Sequence, residues 1–331
     1  MQPVTATLPV LVVLSAPGED APPQVAALRD RMEIRVVDAD HLAEALPGAD
    51  ALFVWDFFNP ALAAAWKHQD RLRWMHVASA GVDAVLFDEL RASSVVLTNA
   101  HGIFDRPIAE FVLASVLAEA KLLHQSADFQ RAREWVHREP RSVEGARAMI
   151  VGTGGIGRAT ARLLSAVGMQ VVGAGRTPRS GDPDFGEVVA SDRLAEHIAD
   201  VDFLINAAPL TPSTTGLLNA EVFQALPSHA HVVNIGRGPS LVEADLGKAI
   251  REGAIAGASL DVFEVEPLPN ESPLWDLPGV RISAHMSGDV AGWRDRLAEQ
   301  FVDLAERWLE GAPMPHEIDK QNGFVTSRSG S

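Results

Sequence analysis

Residues 148–176 read AMIVGTGGIGRATARLLSAVGMQVVGAGR, and every other part of the chain is placed relative to this stretch. An apolar strand at 148–151 enters the turn Gly152, Thr153, Gly154, Gly155, Ile156, Gly157. A helix over 159–167 leaves it, Gly168 fits the position just past a helix end, and 169–175 form a second strand. Each glycine has its own physical reason: Gly152 permits the tight turn, Gly154 lets the backbone approach a pyrophosphate, and Gly157 lets helix and strand pack closely. The helix N-terminus adds N–H groups and the positive end of its dipole for phosphates. Glycine turns alone are common, but a strand before this one and a helix and strand after it make the stretch a dinucleotide-binding unit.

The chain around it has 331 residues, more than one core comfortably holds, so two domains are expected. Its 47% hydrophobic and 22% charged residues are the balance of an ordinary soluble globular protein. A formal net charge of −16 argues against nucleic acid or an anionic membrane as partner, because both are met by clustered Lys and Arg. The absence of cysteine excludes disulfides, thiolate metal sites and Cys nucleophiles, and no His-rich spacing suggests a metal, so none is expected. The opening MQPVTATLPVLVVLSAPGED has no basic segment and too short an apolar run for a span. Neither a signal peptide nor a membrane helix is expected, and a cytoplasmic protein follows.

Short apolar runs at 10–14, 34–37, 51–55, 73–77 and 95–98 predict parallel strands of a first small sheet, with a turn at 79–83. One long apolar helix over 107–124, with Pro107 in its first turn, is expected to bridge the domains. Strands at 203–207, 231–235, 255–259 and 280–283 alternate with helical patterns, as a doubly wound sheet requires. An amphipathic helix over 289–309 carries Trp293, Leu297, Phe301, Leu304 and Trp308 at helical spacing, a packing stripe for the first domain, and 311–331 is expected to fray. The expected fold is α/β: two Rossmann-like doubly wound parallel-sheet domains, one of residues 1–101 completed by 287–331, the other of residues 102–286.

Three ionisable residues closely follow strands of the second sheet: Arg237 in VVNIGRGPSLVE, Glu266 in SLDVFEVEPLP and His285 in VRISAHMSGD. Ligands of open α/β sheets bind at strand carboxyl ends, so such residues are catalytic candidates. Reducing a 2-oxo acid needs a cation to grip the carboxylate and polarise the carbonyl, an acid to protonate the alkoxide, and a group that keeps that acid charged. Arg, His and Glu match these needs in turn, since Glu beside His favours the imidazolium and raises its pKa. Each also has a bland reading: a surface arginine, a turn residue before Pro267, a half-buried histidine.

At this point the chain resembles the D-isomer-specific 2-hydroxyacid dehydrogenases, in particular the glyoxylate and hydroxypyruvate reductases. The resemblance rests on HVASAGVDAVLF, TNAHGIFDRPIAEFVLA, IVGTGGIGRATA, NAAPLTPSTTGLLN, VVNIGRGPSLVEADL, ASLDVFEVEPLP and SAHMSGD, in the family's order. It implies that Arg237, Glu266 and His285 are the catalytic trio and that Arg237 and His285 also touch substrate. It implies that Gly81 and Val82 offer N–H groups to the substrate carboxylate, with Ser79 and Ala80 in the same loop. Asp261 contacts the nicotinamide carboxamide on this reading, or else caps a turn. Ala208, Pro209, Thr214, Ile235 and His285 surround the cofactor, with Thr211 and Pro212 nearby, and the active site lies in the cleft between the domains. Trp55, Phe57 and Phe58 are either packed aromatics or a pocket wall, and Trp55 is carried as a substrate contact. Departures are Ala284 where many members have Pro, followed by Met286, Ser287 and Gly288, so the pocket beside the histidine differs. Arg106 is placed in solvent, with Asp105 as its local partner candidate, and Trp135 resembles a tryptophan that reaches the neighbouring subunit's pocket in some relatives.

The resemblance implies reduction of a small 2-oxo acid to the D-2-hydroxy acid, and a homodimer built on the nucleotide-binding domain. Relatives acting on phosphoglycerate or formate fit less well: the first often carry an added regulatory domain, for which no room is expected after Leu309, and the second have insertions not found here. A cofactor-sensing corepressor on the same fold is the reading from another class. NADP(H) is expected over NAD(H), which stays usable. The NAD-type acidic residue about 20 residues past the glycines is replaced by Arg176, Thr177, Pro178, Arg179, where Arg176, helped by Thr177 or Arg179, can meet a 2′-phosphate.

Overall fold

A computed structural model describes residues 7–57 and 59–325, so residues 1–6, Phe58 and residues 326–331 lie outside the described residues. The chain divides into two units, Met1–Ile103 with Val290–Ser331 and Phe104–Asp289. The changeovers fall after Ile103 and Asp289, against 101 and 286 from the sequence.

The first unit begins with β1 (Val10–Leu14), β2 (Glu33–Val37), α1 (Leu42–Ala45), β3 (Ala51–Val54), α2 (Ala61–Ala65), β4 (Trp74–Val77), α3 (Asp88–Ala92) and β5 (Val96–Asn99). Its strands pair in parallel in the order β2-β1-β3-β4-β5. β1, β3 and β4 are buried at every residue, as parallel strands covered on both faces must be, whereas the edge strand β2 is partly exposed. The chain leaves β1 for one edge and returns to β3 on the other side, so the crevice of this sheet opens between their carboxyl ends, where Trp55 follows β3.

The second unit begins with α4 (Asp105–Ala120) and α5 (Leu123–Ala132). The single helix expected over 107–124 is therefore two, because Leu122 takes φ 55° and breaks the ladder; both belong to this unit, and α4 packs on the fingerprint helix. Next come β6 (Arg147–Val151), α6 (Gly155–Ala166), β7 (Gln170–Gly175), β8 (Arg179–Asp182), β9 (Gly186–Ala190), β10 (Phe203–Asn206), α7 (Ala220–Ala225), β11 (His231–Asn234), α8 (Glu243–Arg251), β12 (Gly257–Leu260) and β13 (Val280–Ile282). The sheet order is β13-β12-β11-β10-β6-β7-β9-β8, parallel except for β8 against β9. α6 begins at Gly155, not 159, because the later residues of the glycine turn are already helical. It ends as expected: Gly168 has φ 86°, its N–H meets Ser165 O at 3.0 Å, and Met169 N–H meets Leu164 O at 3.1 Å.

Back in the first unit, α9 (Trp293–Leu309) lays its stripe on the sheet, and β14 (Ile318–Asp319) pairs with β15 (Phe324–Val325). Phe301 stacks on Phe53 at 3.8 Å and on Trp74 at 5.4 Å, burying large apolar faces. His76 belongs to this core: its Nδ1 lies 2.9 Å from Thr98 Oγ1, and burial pushes the ring down to about 3, leaving it neutral. The expected fraying is corrected for residues up to 325, because Lys320 Nζ donates to Ser93 O at 2.5 Å and to Val95 O at 2.9 Å.

The hairpin β8–β9 has no counterpart in the expected strands, since its polar, glycine-containing sequence shows no alternation. An ion network ties it to α6. Arg158 reaches Asp182 at 2.9 Å and Asp184 at 2.7 Å, Arg162 reaches Asp184 at 2.6 Å, and Arg179 reaches Asp182 at 2.8 Å. The Asp182 side chain is 2% exposed, and the Arg158 guanidinium holds its carboxyl far below the carboxylate range against the opposing effect of burial. Asp182→Asn is expected to cost about 2–3 kcal/mol, because a buried carboxylate shared by two guanidinium groups is lost. The lowered pKa places that contribution above the ordinary aspartate value of about 4 and removes it as pH falls through the folded-state value. Urea unfolding of both proteins should show a gap at neutral pH that narrows in acid; a gap that widens in acid refutes this account.

Candidate active site

Unit two's sheet switches direction between β6 and β10, and the glycine turn sits there. Gly152 has φ 101°, and a Cβ on it would lie 2.7 Å from the Ala207 and Ala208 backbone, so the two strand ends meet only because it is glycine. A Cβ on Gly157 would lie 1.9 Å from Gly152 O, whereas nothing is within 4 Å of the Cβ position of Gly154. The N-cap Gly154 therefore leaves open space before the first turn of α6, in which Gly155 and Ile156 lie. These residues fit a dinucleotide pyrophosphate. Ala208 and Ile235 are buried just past β10 and β11. Pro209 and Thr214 close the loop after β10, with Thr214 Oγ1 donating to Pro209 O at 2.7 Å. Arg176 and Thr177 are exposed at the end of β7, while Arg179 is engaged by Asp182.

Arg237 is placed by a buried polar ladder. Asn206 Nδ2 donates to Asn234 Oδ1 at 2.9 Å and to Ser240 Oγ at 2.6 Å; Ser240 Oγ and Asn234 Nδ2 donate in turn to Arg237 O at 2.5 and 3.3 Å. Sequence reasoning missed these three residues. Their signal was an asparagine ending each of two apolar strands, a polar group that must find partners once buried. The Arg237 loop also presses on the loop carrying Glu266: a Cβ on Gly238 would lie 1.7 Å from Phe263 O.

Glu266 and His285 meet directly, Nδ1 to Oε2 at 2.6 Å. Glu266 also accepts from Phe263 N–H at 2.9 Å. Burial alone would raise its carboxyl; the hydrogen bonds from His285 and Phe263 and the charge of Arg237 outweigh that and hold it below the ordinary value. His285 has φ 50°, a left-handed conformation that costs an L-residue about 1 kcal/mol. Asp261, fully buried, holds that turn by accepting Met286 N–H and Ser287 N–H, each at 2.9 Å, on its two oxygens. Met286 and Val265 flank the pair as exposed apolar side chains. Among the described residues no group of three or more metal-ligating side chains is gathered, and no helix is long and apolar enough to cross a membrane.

In the first unit, the loop after β4 is clamped by its carbonyls. Asn99 Nδ2 donates to Ala80 O at 2.5 Å and Ser79 Oγ to Gly81 O at 2.6 Å. A trans peptide points its N–H opposite to its C=O, so the N–H groups of Gly81 and Val82 face away from these clamps. Asn99 is a further residue the sequence reading passed over. Trp55 is 9% exposed, with the Arg294 guanidinium 5.6 Å over its ring, and Phe57 is half-buried against the core. Arg106 is solvent-facing as expected, but its partner is Glu110 at 2.6 Å, not Asp105. Trp135 is fully exposed.

Residues 113–287 match the model of the D-isomer specific 2-hydroxyacid dehydrogenase NAD-binding domain. The chain is similar to glyoxylate/hydroxypyruvate reductase A of Serratia proteamaculans, 32% identical over 245 residues, which are 72% of this chain and 77% of that protein. Among solved structures it is similar to a D-isomer specific 2-hydroxyacid dehydrogenase family protein of Aeromonas salmonicida, 29% identical, with a TM-score of 0.82 over 95% of this chain and 100% of that one. It is also similar to an NADPH-dependent glyoxylate/hydroxypyruvate reductase of Sinorhizobium meliloti in complex with NADP and sulfate, 29% identical, with a TM-score of 0.81 over 96% and 100%. A nucleotide-binding fingerprint at the switch point of its sheet, and likenesses that run through the sequence and the fold alike, place this chain in the D-isomer specific 2-hydroxyacid dehydrogenase family.

Proposed function

We propose that this protein reduces a small 2-oxo acid, glyoxylate or hydroxypyruvate or a close analogue, to the D-2-hydroxy acid with NADPH. The observation that carries this reading is the His285–Glu266 pair at 2.6 Å, held at the carboxyl edge of the same sheet whose glycine turn opens onto the α6 N-terminus. Arg237 binds and polarises the substrate, and Gly81 and Val82 N–H groups receive its carboxylate. With Nδ1 turned to the Glu266 carboxylate, Nε2 of His285 carries the proton given to the carbonyl oxygen. Glu266 stays ionised, and its carboxylate orients the imidazole through Nδ1 during the transfer. NADPH, when bound, supplies the hydride. His285→Ala is expected to lower glyoxylate reduction by about 10²–10⁴ with NADPH affinity little changed, because the proton donor is removed while the glycine turn and Arg176 that hold the phosphates remain. Steady-state kinetics with a direct NADPH titration checks this, and near-normal turnover rejects the mechanism.

The preference for NADPH is supported by the exposed Arg176 and Thr177 at the end of β7, where no carboxylate stands, and by the cofactor of the Sinorhizobium meliloti reductase. Arg179 is committed to Asp182, so Arg176 is the principal reader of the 2′-phosphate. Arg176→Asp should reverse the ratio of kcat/KM for NADPH over NADH, since a carboxylate repels the phosphate and accepts from a 2′-hydroxyl. A wild type that favours NADH, or an unmoved ratio, rejects the assignment.

The protein is also proposed to be a homodimer joined through the nucleotide-binding unit. α5 buries none of its residues within the chain, and Leu123 is 54%, Val136 44% and Trp135 100% exposed. Such a run of apolar surface on one segment suits a two-fold contact. Light scattering at micromolar concentration should give twice the chain mass, and Trp135→Ala should shift it towards the monomer; a wild-type monomer refutes the proposal.

A further inference from the structure

The helix proposed to meet the cofactor's pyrophosphate begins beside a fixed negative charge. A Cβ on Gly155, the first residue of α6, would lie 2.2 Å from Asp105 Oδ2 and 2.9 Å from Oδ1, so that carboxylate rests against the opening turn. Asp105 is also the first residue of α4, and neither Phe104 before α4 nor Gly154 before α6 provides a side-chain cap. One carboxylate thus stands at the positive ends of two helix dipoles, a favourable place for it. Arg162, farther along α6, registers the same charge.

We propose that Asp105 sets the affinity for the dinucleotide by opposing its pyrophosphate, so that cofactor binds more weakly and leaves sooner than the glycine turn alone would dictate. This rests on the dinucleotide reading of residues 152–157. The Asp105 carboxylate lies against the turn whose N–H groups the pyrophosphate needs, and the two anions repel at short range. At a partly screened site this repulsion amounts to on the order of tenfold in affinity. Faster release matters because departure of a product, the spent cofactor included, limits turnover in many enzymes. The charge therefore acts with opposite signs in the two states: it steadies the helix ends of the free chain and works against the complex.

That opposition separates the proposal from a purely structural role. NADPH and 2′-AMP, which keeps the 2′-phosphate and lacks the pyrophosphate, are titrated calorimetrically into the wild type, Asp105→Asn and Asp105→Ser, alongside thermal melts. Both variants should bind NADPH about tenfold tighter, bind 2′-AMP as the wild type does, and melt slightly lower. Unchanged or weaker NADPH binding overturns the inference, and so does an equal gain for 2′-AMP, since the effect then bypasses the pyrophosphate. A wild type that binds neither ligand removes the dinucleotide reading itself, and this inference with it.

Discussion

Asp261 spends both carboxylate oxygens on the backbone N–H groups of Met286 and Ser287, and the geometry of the proposed catalytic edge depends on that. His285 needs the support because its φ of 50° is unfavourable for a residue with a Cβ. Charge-assisted hydrogen bonds in a fully buried place are strong enough to hold it, and they leave the imidazole facing Glu266. The resemblance gave Asp261 either to the nicotinamide carboxamide or to a turn; in the structure its carboxylate accepts the N–H groups of the turn behind the histidine.

A histidine near a carboxylate says little by itself. His229 meets Asp202 at 2.9 Å at the amino ends of β10 and β11, and His231 and His76 are buried and pushed down to about 3. What sets His285 apart is place: it follows β13, beside the loop after β12 and the loop after β11, where an open α/β sheet receives its ligands. Those loops approach so closely that Gly238 admits no side chain. The Asn206, Asn234 and Ser240 ladder keeps the Arg237 backbone where Glu266 feels its charge. Each element is local, but they share one sheet edge, so a change in any strand end is felt at the trio.

Charge placement follows the same logic on the nucleotide side. Asp182 and Asp184 gather Arg158, Arg162 and Arg179 into a network that fixes the β8–β9 hairpin on α6. Arg176 is left on the exposed rim at the end of β7. Asp105 then stands at the opening of α6 itself. The chain's strongly acidic balance is thus compatible with an anionic cofactor, because Asp182 and Asp184 are matched by guanidinium groups, and Asp105 is the carboxylate proposed to act against it.

Local chemistry was enough for the parts of this protein that announce themselves within a few residues. The glycine turn requires φ > 0 and close approach, the parallel strands are short continuous apolar runs because both their faces are covered, and Arg237, Glu266 and His285 stand just beyond strand ends; all of this is legible at 148–176 and in the motifs that follow. Helix ends were less legible, since the break at Leu122 is a backbone reversal with no proline or glycine to signal it. The β8–β9 hairpin was hidden because ion pairs to a helix, and not alternation of apolar residues, hold it in place. Only the tertiary structure decided that Arg179 belongs to Asp182, that Arg106 pairs with Glu110, that Asp261 holds the turn at His285, and that Asp105 reaches Gly155. Partner choice for a charged side chain depends on which groups lie within a few ångströms in space, and sequence distance carries no information about that.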